Sequence, residues 1–335
     1  MALFYSGKKI LVTGGAGFVG SHLVEILVGQ GAKVTVPVFP GSSAGFLESV
    51  RKQINLVEAD LADRPSVDRL MRGQEIVLNL AAAKGGGIAH SMQHHASLFR
   101  DNMRMFLTVI DSAKDAKVER FLVVSSACVY PRDTSHPTPE EEGFKDQPES
   151  ANAGYGWSKR MAEYLGHAYA EEFGMKVAIA RPYNCYGPRD DFFAPFQHVI
   201  PGLIKRVFDG DNPLTVWGSG NQTRSFLFVE DFARGLLETC EKYAVADPLN
   251  IGSSEEITIG ELAKLLLKLT GSQAKILFDT SKPDGQPRRT CDTRKAKEKI
   301  GFQAVFSLEK GLQKTIDWYK LERIKHESNF IGPNS

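Results

Sequence analysis

The first half of the chain alternates short apolar runs rich in β-branched residues with longer segments whose apolar residues recur every three or four positions. The short runs predict strands and the longer segments predict helices. The predicted strands are 10–13, 34–38, 55–58, 76–80, 121–125 and 176–180. The predicted helices are 19–28, 66–71, 98–114 and 155–172. This alternation is typical of an α/β protein with a doubly wound parallel sheet.

The second half has a looser pattern. Short predicted strands at 214–217 and 249–251 are separated by predicted helices at 196–208, 231–243 and 259–269. We interpret this half as a smaller α/β lobe lying against the carboxyl ends of the large sheet. The predicted units are a large domain over 1–182, a lobe over 183–325 whose chain crosses back near 225–250, and a loose polar tail over 326–335.

Composition narrows the class of protein. Of the 335 residues, 42% are hydrophobic and 24% are charged, as in ordinary globular proteins, and the net charge is +1. No long basic run is present, which argues against nucleic-acid or membrane-surface partners. The four cysteines form no C-x-x-C pair and match no zinc spacing, so we expect no metal and a cytoplasmic location. Lys8 and Lys9 interrupt any signal-like core, and no run of about 18 apolar residues predicts a membrane span.

A glycine-rich turn follows the first predicted strand. Gly14, Gly17 and Gly20 are spaced G-x-x-G-x-x-G at the start of an amphipathic helix, and Phe18 and Val19 are also expected at the cofactor. In such a turn, Gly14 permits the tight bend, Gly17 lets the backbone approach a pyrophosphate, and Gly20 lets helix and strand pack closely. No Lys-Ser/Thr pair follows, which argues against an ATPase loop. The turn predicts a dinucleotide site.

The second and third predicted strands bear on the identity of the dinucleotide. Val38 occupies the place where an acid usually binds the adenosine ribose. Because an acid there would repel a 2′-phosphate, its absence favours NADP(H), with Ser42 and Ser43 as donors to that phosphate. NAD bound without this contact is the alternative. Asp60 and Leu61 follow the third strand and are interpreted either as adenine contacts or as a simple turn.

Tyr155 and Lys159 lie four residues apart, on one face of a predicted helix. We expect the Lys159 ammonium to lower the pKa of the Tyr155 phenol and to hold the nicotinamide ribose. Ser126, at the end of the fifth predicted strand, is placed to hydrogen-bond the same substrate oxygen. The three side chains predict proton exchange with a carbinol as a hydride moves.

These motifs resemble the extended short-chain dehydrogenase/reductase family, also called the NAD-dependent epimerase/dehydratase family. The resemblance extends over nearly the whole chain and includes Asn79-Leu-Ala-Ala82 and the Arg181–Pro188 motif. It implies a Rossmann-type fold, a nicotinamide cofactor and a nucleotide-diphosphate sugar as substrate. It also places Leu80, Ala81 and Ala82 at the cofactor.

The same resemblance implies a homodimer. Members of the family often dimerise through the two helices that correspond to 98–114 and 155–172 in this chain. We expect the outer faces of these helices to carry Met103, Phe106 and Leu165.

Two residues distinguish the chemistries found within the family. Dehydratases carry Asp-Glu after the catalytic Ser/Thr, where this chain has Ala127-Cys128, so a 4,6-dehydratase is not expected. A 4-keto sugar has acidic hydrogens at C3 and C5, and a Cys128 thiolate is suited to remove them. His198 is the candidate acid for the opposite face. The alternatives are inert packing for the cysteine and a structural role for the histidine.

Four local segments resemble the GDP-L-fucose synthase family: Ala83–Ile88, Ser126–Pro131, His198–Pro201 and Lys282–Arg289. That family epimerises a GDP-4-keto-6-deoxymannose at C3 and C5 and then reduces C4 with NADPH. The Ser126–Pro131 segment is equally similar to GDP-mannose 3,5-epimerases. Both families have a cysteine at the position of Cys128, and the fucose synthase pattern places its acid at the position of His198.

The resemblance also implies substrate contacts in the lobe, with a GDP-sugar favoured. Arginine suits a diphosphate because its planar fork binds bidentately. Lys84 is interpreted either as a sugar contact or as a plain loop lysine. The full set of candidate substrate residues is Lys84, Asn184, Arg206, Trp217, Arg224 and Arg289.

Two other classes of function stay open. One is an epimerase without net reduction, either a GDP-mannose 3,5-epimerase or a UDP-sugar 4-epimerase that recycles NAD. The other is a non-catalytic protein that senses the cofactor. The retained Tyr155 and Lys159 argue against the second class, since binding proteins on this fold often lose that pair.

Overall fold

The structure is a computed structural model that describes residues 3–83, 87–194, 197–282 and 285–330, without the side chains of 87–89 and 327–330. The strands are β1 (Lys9–Thr13), β2 (Lys33–Val38), β3 (Asn55–Glu58), β4 (Ile76–Asn79), β5 (Arg120–Val124), β6 (Val177–Pro182), β7 (Cys185–Tyr186), β8 (Leu214–Trp217), β9 (Thr223–Ser225), β10 (Leu227–Phe228), β11 (Pro248–Ile251), β12 (Glu256–Thr258), β13 (Ile276–Asp279) and β14 (Arg288–Arg289). The helices are α1 (Phe18–Gly29), α2 (Arg64–Met71), α3 (Gly87–Gln93), α4 (His95–Asp115), α5 (Ala153–Phe173), α6 (Val199–Phe208), α7 (Val229–Lys242), α8 (Ile259–Thr270), α9 (Arg294–Ile300) and α10 (Leu308–Phe330).

Seven strands form the main sheet in the order β11-β6-β5-β4-β1-β2-β3, and every neighbouring pair is parallel. The predicted doubly wound α/β fold is therefore confirmed. The strand order reverses between β1 and β4, so a crevice opens there at the carboxyl ends of the strands. The glycine turn after β1 and the loop after β4 both border this crevice.

The main sheet is apolar on both faces because helices cover both. In β1, Ile10, Leu11 and Val12 are fully buried, and they alternate between two core clusters. Helices α1 and α7 cover one face, while α2, α4 and α5 cover the other. Continuous apolar runs in the sequence thus mark strands that are buried on both sides.

A third core cluster lies among β7, β8, β10, α6, α8 and α10. Around it are three small sheets, β10-β7, β12-β9-β14 and β13-β8. Between them the chain returns to the main sheet, where β11 pairs with β6. Strand β14 pairs with β9 in parallel, which matters for the site because it brings Arg289 beside Arg224.

Three differences from the sequence-based expectations are notable. Helix α6 begins at Val199, three residues after the expected start. Helix α10 continues to Phe330, where a loose tail was expected, because Arg323 donates to Phe208 O and the His326 ring stacks on Phe193 at 4.2 Å. Phe106, expected on an outer face, is only 7% exposed and packs edge-on against Phe121.

No helix in the described part of the chain is both long enough and apolar enough to cross a bilayer.

Candidate active site

The glycine turn forms a backbone cradle that larger residues cannot adopt. Gly14 has φ +67°, and a Cβ there would lie 2.9 Å from Ala81 N in the loop after β4. A Cβ on Gly20 would overlap Gly14 O, so α1 can approach the turn only with glycine at this position. Ala81 N donates to Thr13 Oγ1 at 3.1 Å, which fixes the second loop against the first. The cradle therefore depends on a glycine at both positions.

The amino terminus of α1 is suited to an anion. Gly17 is the N-cap residue and provides no side-chain cap, and the first turn carries no acidic residue. The first backbone N–H groups of a helix have no acceptors within it, and the helix dipole adds partial positive charge. Phe18 and Val19 turn their side chains toward the lobe's core cluster. The cradle therefore fits a dinucleotide pyrophosphate held by backbone N–H groups.

The end of β2 carries no carboxylate. Val38 is buried, whereas Phe39 is 61% exposed directly after it. Ser42 and Ser43 are both exposed in the following loop, and Ser43 Oγ accepts from Gly45 N at 3.2 Å. Phe39, which the sequence reasoning did not consider, is an exposed aromatic residue directly after the carboxyl end of β2.

Contacts within the protein account for the positions of the Asp60 and Leu61 side chains. The Asp60 carboxylate accepts from Ala62 N at 2.8 Å, which is a turn hydrogen bond. The Leu61 side chain is 8% exposed and belongs to a core cluster. The turn interpretation thus accounts for Asp60, and the Leu61 side chain is committed to the core. Leu80 and Ala82, in the loop after β4, are both half-buried.

Ser126, Tyr155 and Lys159 come together where β5 ends beside α5. Ser126 begins a short 3₁₀ turn, and its Oγ accepts from Cys128 N at 3.2 Å. Hydrogen bonding by Ser126 is among the influences on the pKa of the Tyr155 phenol, so the two side chains lie near each other. Lys159 Nζ lies 5.4 Å from the centroid of the Tyr155 ring and donates to Val124 O at 2.7 Å.

The pKa of the Tyr155 phenol is raised in this structure, whereas a lowered value was expected. Burial raises the pKa of Tyr155, and the nearby Cys128 charge raises it further, while the Ser126 hydrogen bond opposes the shift. The desolvation of the phenol outweighs the other influences, and the Lys159 ammonium is turned toward a carbonyl oxygen. The prediction of a lowered pKa is therefore wrong for this structure, and the phenol is a neutral proton donor.

Cys128 lies two residues beyond Ser126 and faces a small pocket. Arg289 Nη2 lies 3.8 Å from Cys128 Sγ. Gly156 packs so tightly that a Cβ there would lie 2.5 Å from Cys128 O. The sequence reasoning did not find two titratable side chains of this pocket, those of His136 and Glu149. The other lining residues are Ala127, Tyr130, Pro131, Thr134, Thr138, Asn152, Tyr183 and Gln286.

His198 lies at the start of α6, with a side chain that is 47% exposed. Its Nδ1 is 3.4 Å from Oδ1 of the buried Asp190. Among the residues described here, His198 is not part of the pocket lining around Cys128. The structure thus places the two predicted epimerisation residues on separate elements, the turn after β5 and the start of α6.

Two of the three predicted substrate arginines are neighbours. Arg224 and Arg289 are register partners on β9 and β14. Burial lowers the pKa of Arg224, and the like charge of Arg289 lowers it further. Arg206, by contrast, is engaged elsewhere, because it donates to Asp211 Oδ2 at 3.1 Å and to Thr215 O.

The remaining candidates are spread over the lobe. Trp217 is 63% exposed, and Lys282 Nζ lies 5.9 Å from its ring centroid. The Asn184 amide donates to Ser225 O at 2.8 Å and so fixes β7 against β9. Lys84 lies outside the described residues.

A buried ion pair between Arg181 and Glu163 lies next to the site, and the sequence reasoning missed it. Arg181 donates to both Glu163 oxygens, with a shortest distance of 2.7 Å, and neither side chain is more than 4% exposed. Ser125 Oγ also donates to Glu163. Since Glu163 is one helical turn beyond Lys159, the pair ties α5 to the strand ends that carry Ser126.

The sequence pattern of the NAD dependent epimerase/dehydratase family matches residues 10–252. The chain belongs to this family and is an NAD(P)-dependent enzyme of the extended short-chain dehydrogenase/reductase type.

Similar proteins show the range within the family. A probable GDP-L-fucose synthase 1 of Oryza sativa subsp. japonica is 33% identical over 319 residues, which cover 93% of this chain and 92% of the relative. A GDP-L-fucose synthetase from Naegleria fowleri bound to NADP has a TM-score of 0.79 at 28% identity, covering 97% of this chain and 96% of its own. UDP-glucose 4-epimerase from Thermotoga maritima, solved with UDP-glucose, reaches 0.84 at 28% identity over 94% of this chain and 99% of its own.

Proposed function

We propose that the protein is a GDP-4-keto-6-deoxy-D-mannose 3,5-epimerase-4-reductase that uses NADPH. The observation that carries the proposal is the Cys128 thiol, which faces a pocket two residues beyond Ser126 and beside the Tyr155 phenol. A reductase alone needs no such thiol, and a dehydratase would need carboxylates there. The likeness to a rice GDP-L-fucose synthase supports the same substrate class.

In the epimerisation, Ser126 and Tyr155 hydrogen-bond the C4 ketone oxygen and stabilise the enolate that forms on it. The Cys128 thiolate removes the proton from C3 or C5, so the C–H electron pair enters the enolate. His198 returns a proton to the opposite face of the same carbon, which inverts it. Cys128 then releases its proton to solvent and His198 takes one up, so that repetition at the other carbon completes the epimerisation. In this role, His198, which is 47% exposed at the start of α6, must reach the face of the sugar opposite to Cys128.

In the reduction, NADPH supplies a hydride to C4 when it is bound. Tyr155, whose pKa is raised by burial, is a neutral donor and gives its proton to the C4 oxygen. Lys159 holds the nicotinamide ribose and keeps the phenol near that oxygen.

For the cofactor, we propose the backbone of Gly14, Gly17 and Gly20 as the pyrophosphate site. Ser42 and Ser43, exposed beyond a strand end without a carboxylate, favour a 2′-phosphate and therefore NADPH over NADH. The NADP-bound Naegleria relative supports this preference.

For the nucleotide sugar, Arg289 places a cation in the pocket beside Cys128, and its register partner Arg224 brings a second cation next to it on β9. Two neighbouring guanidinium groups match the two charges of a diphosphate. The exposed Trp217 ring offers a surface for the base or its ribose.

The direct test is to incubate the protein with GDP-4-keto-6-deoxymannose and NADPH. We expect a C3- and C5-inverted, C4-reduced GDP-sugar with one NADPH oxidised per product. Epimerised ketone without oxidation of NADPH would replace the proposal with a pure epimerase. Unchanged ketone would remove this substrate class.

A second candidate is a UDP-sugar 4-epimerase that recycles NAD. The likeness to the Thermotoga UDP-glucose 4-epimerase and the Gly-Gly-Ala-Gly form of the turn favour it. Interconversion of UDP-glucose and UDP-galactose without added NADPH would establish this function in place of the first.

We also propose a homodimer through α4 and α5, which lie side by side. On α4, Phe99 and Leu107 are exposed and lie on either side of the half-buried Met103, while Tyr164 on α5 is 63% exposed. Leu165 packs partly into the core, so Tyr164 is the prominent apolar side chain of α5.

A further inference from the structure

Arg289 points into the pocket of Cys128, while its neighbour in the chain points away. Strand side chains alternate between faces, so consecutive arginines in β14 have different surroundings. Arg288 pairs with Glu256 at 2.5 Å on the exposed side of the small sheet. Arg289 instead places Nη2 at 3.8 Å from Cys128 Sγ, across 161 residues of sequence. One strand therefore offers both a test residue and a matched control.

Several of the titratable side chains that face Cys128 are neutral, and only a few are charged among the described residues. Burial raises the pKa values of Tyr130, Tyr155 and Tyr183, so these phenols are neutral. Burial lowers the pKa of His136, which leaves that ring neutral at neutral pH.

Among the described residues, the groups around Cys128 that keep a charge are the guanidinium of Arg289, the carboxylate of Glu149 in the same pocket, and Arg224, the register partner of Arg289. Burial alone would lower the pKa of Arg289, but the attraction of Cys128 raises it, and Glu149 adds to the rise. Arg289 thus interacts favourably with negative charge from both neighbours.

We propose that Arg289 is a positioning residue that holds Cys128 as a thiolate and aims its sulfur into the sugar pocket, with Glu149 as the opposing charge. A cation beside a cysteine favours the thiolate, which is the form that removes a proton from carbon. Glu149 weakens this effect in two ways, since it repels the thiolate and attracts Arg289. The chemical use of a Cys128 thiolate rests on the proposed function, whereas the contact between Arg289 and the Cys128 sulfur does not.

The experiment measures alkylation of the full-length protein by iodoacetamide without substrate, with the modified cysteine identified by mass spectrometry. For R289Q we expect alkylation of Cys128 at about pH 7 to slow about tenfold, with its pH midpoint shifted upward. R289K keeps the charge but loses the fork, and we expect an intermediate rate. E149Q should change the rate in the opposite direction and speed alkylation.

R288Q is the matched control, and we expect its rate to equal that of the native protein. An unchanged rate in R289Q, or an equal slowing in R288Q, would overturn the inference. If R289Q does not fold, as judged by circular dichroism, E149Q decides, because removal of the opposing charge should speed alkylation of Cys128, and an unchanged or slower rate would overturn the inference.

The outcome is separable from the proposed function. Slow alkylation of R289Q together with no turnover of the GDP-keto sugar by the native protein would keep the inference and remove the function. Normal turnover together with unchanged alkylation of R289Q would do the reverse.

Discussion

At the scale of single residues, Tyr155 is central to the reductive step, because its neutral phenol interacts with Ser126 and lies near Cys128. Tyr155→Phe removes the proton donor and keeps the ring. We expect kcat for NADPH-dependent reduction to fall by about 10²- to 10⁴-fold, the usual contribution of a general acid. The control is Tyr164→Phe, on the exposed face of the same helix. Equal activity of Tyr155→Phe and native protein would contradict the assignment.

The raised pKa of Tyr155 also sets a pH dependence. A phenol whose pKa lies above its ordinary value of about 10 stays protonated throughout the neutral and mildly alkaline range. Single-turnover oxidation of NADPH should therefore not slow on account of Tyr155 between about pH 7 and about pH 9. A tenfold loss of this rate per pH unit within the interval would mean that the phenol ionises there. The bound cofactor or substrate would then reverse the effect of burial on the pKa of Tyr155.

A substitution at His198 should affect epimerisation without affecting reduction. We expect His198→Asn to lose inversion at C3 and C5 while it still oxidises NADPH with a ketone that needs no epimerisation. His167→Asn, a change on the exposed side of α5, serves as the control. Native rates of inversion in His198→Asn would show that another group returns the proton, and Glu149 would then be the next side chain to test.

At the scale of elements, the site depends on how closely α5 approaches the turn after β5. Gly156 makes this contact possible, because a Cβ there would lie 2.5 Å from Cys128 O and 2.7 Å from Pro148 Cβ. We expect Gly156→Ala to push α5 outward and to lower kcat at least tenfold, since small misplacements of reacting groups are costly. Gly29→Ala is the control, because a Cβ there meets no atom within 4 Å. Equal kcat values would show that α5 adjusts.

Some features of the site can be predicted from local sequence patterns, whereas contacts between distant elements cannot. The glycine turn and the Tyr155/Lys159 pair are local patterns on single elements, so their spacing alone places them at the crevice of a parallel sheet. The contact between Arg289 and Cys128 depends on the pairing of two short strands far along the chain, which no local period encodes. Phe106 was placed on the wrong face because α4 is apolar on both its core side and its outer side.

At the scale of the whole molecule, the exposed residues of α4 and α5 predict association. Leu107→Glu combined with Tyr164→Glu should convert a dimer into monomers, since unpaired charges are costly to bury. Light scattering during size-exclusion chromatography measures the mass. Val305→Glu, at a residue 74% exposed on another surface, is the control. A native protein that is monomeric at every concentration would contradict the proposed interface.

The central claim is that one chain inverts two carbons through Cys128 and then reduces a third. The most direct measurement is to run the reaction with GDP-4-keto-6-deoxymannose and NADPH in deuterium oxide and to locate deuterium in the product by NMR. We expect deuterium at both C3 and C5 with the native protein and with Cys185→Ser. With Cys128→Ser we expect no deuterium at either carbon. Product without deuterium at either carbon, or undiminished exchange in Cys128→Ser, would contradict it.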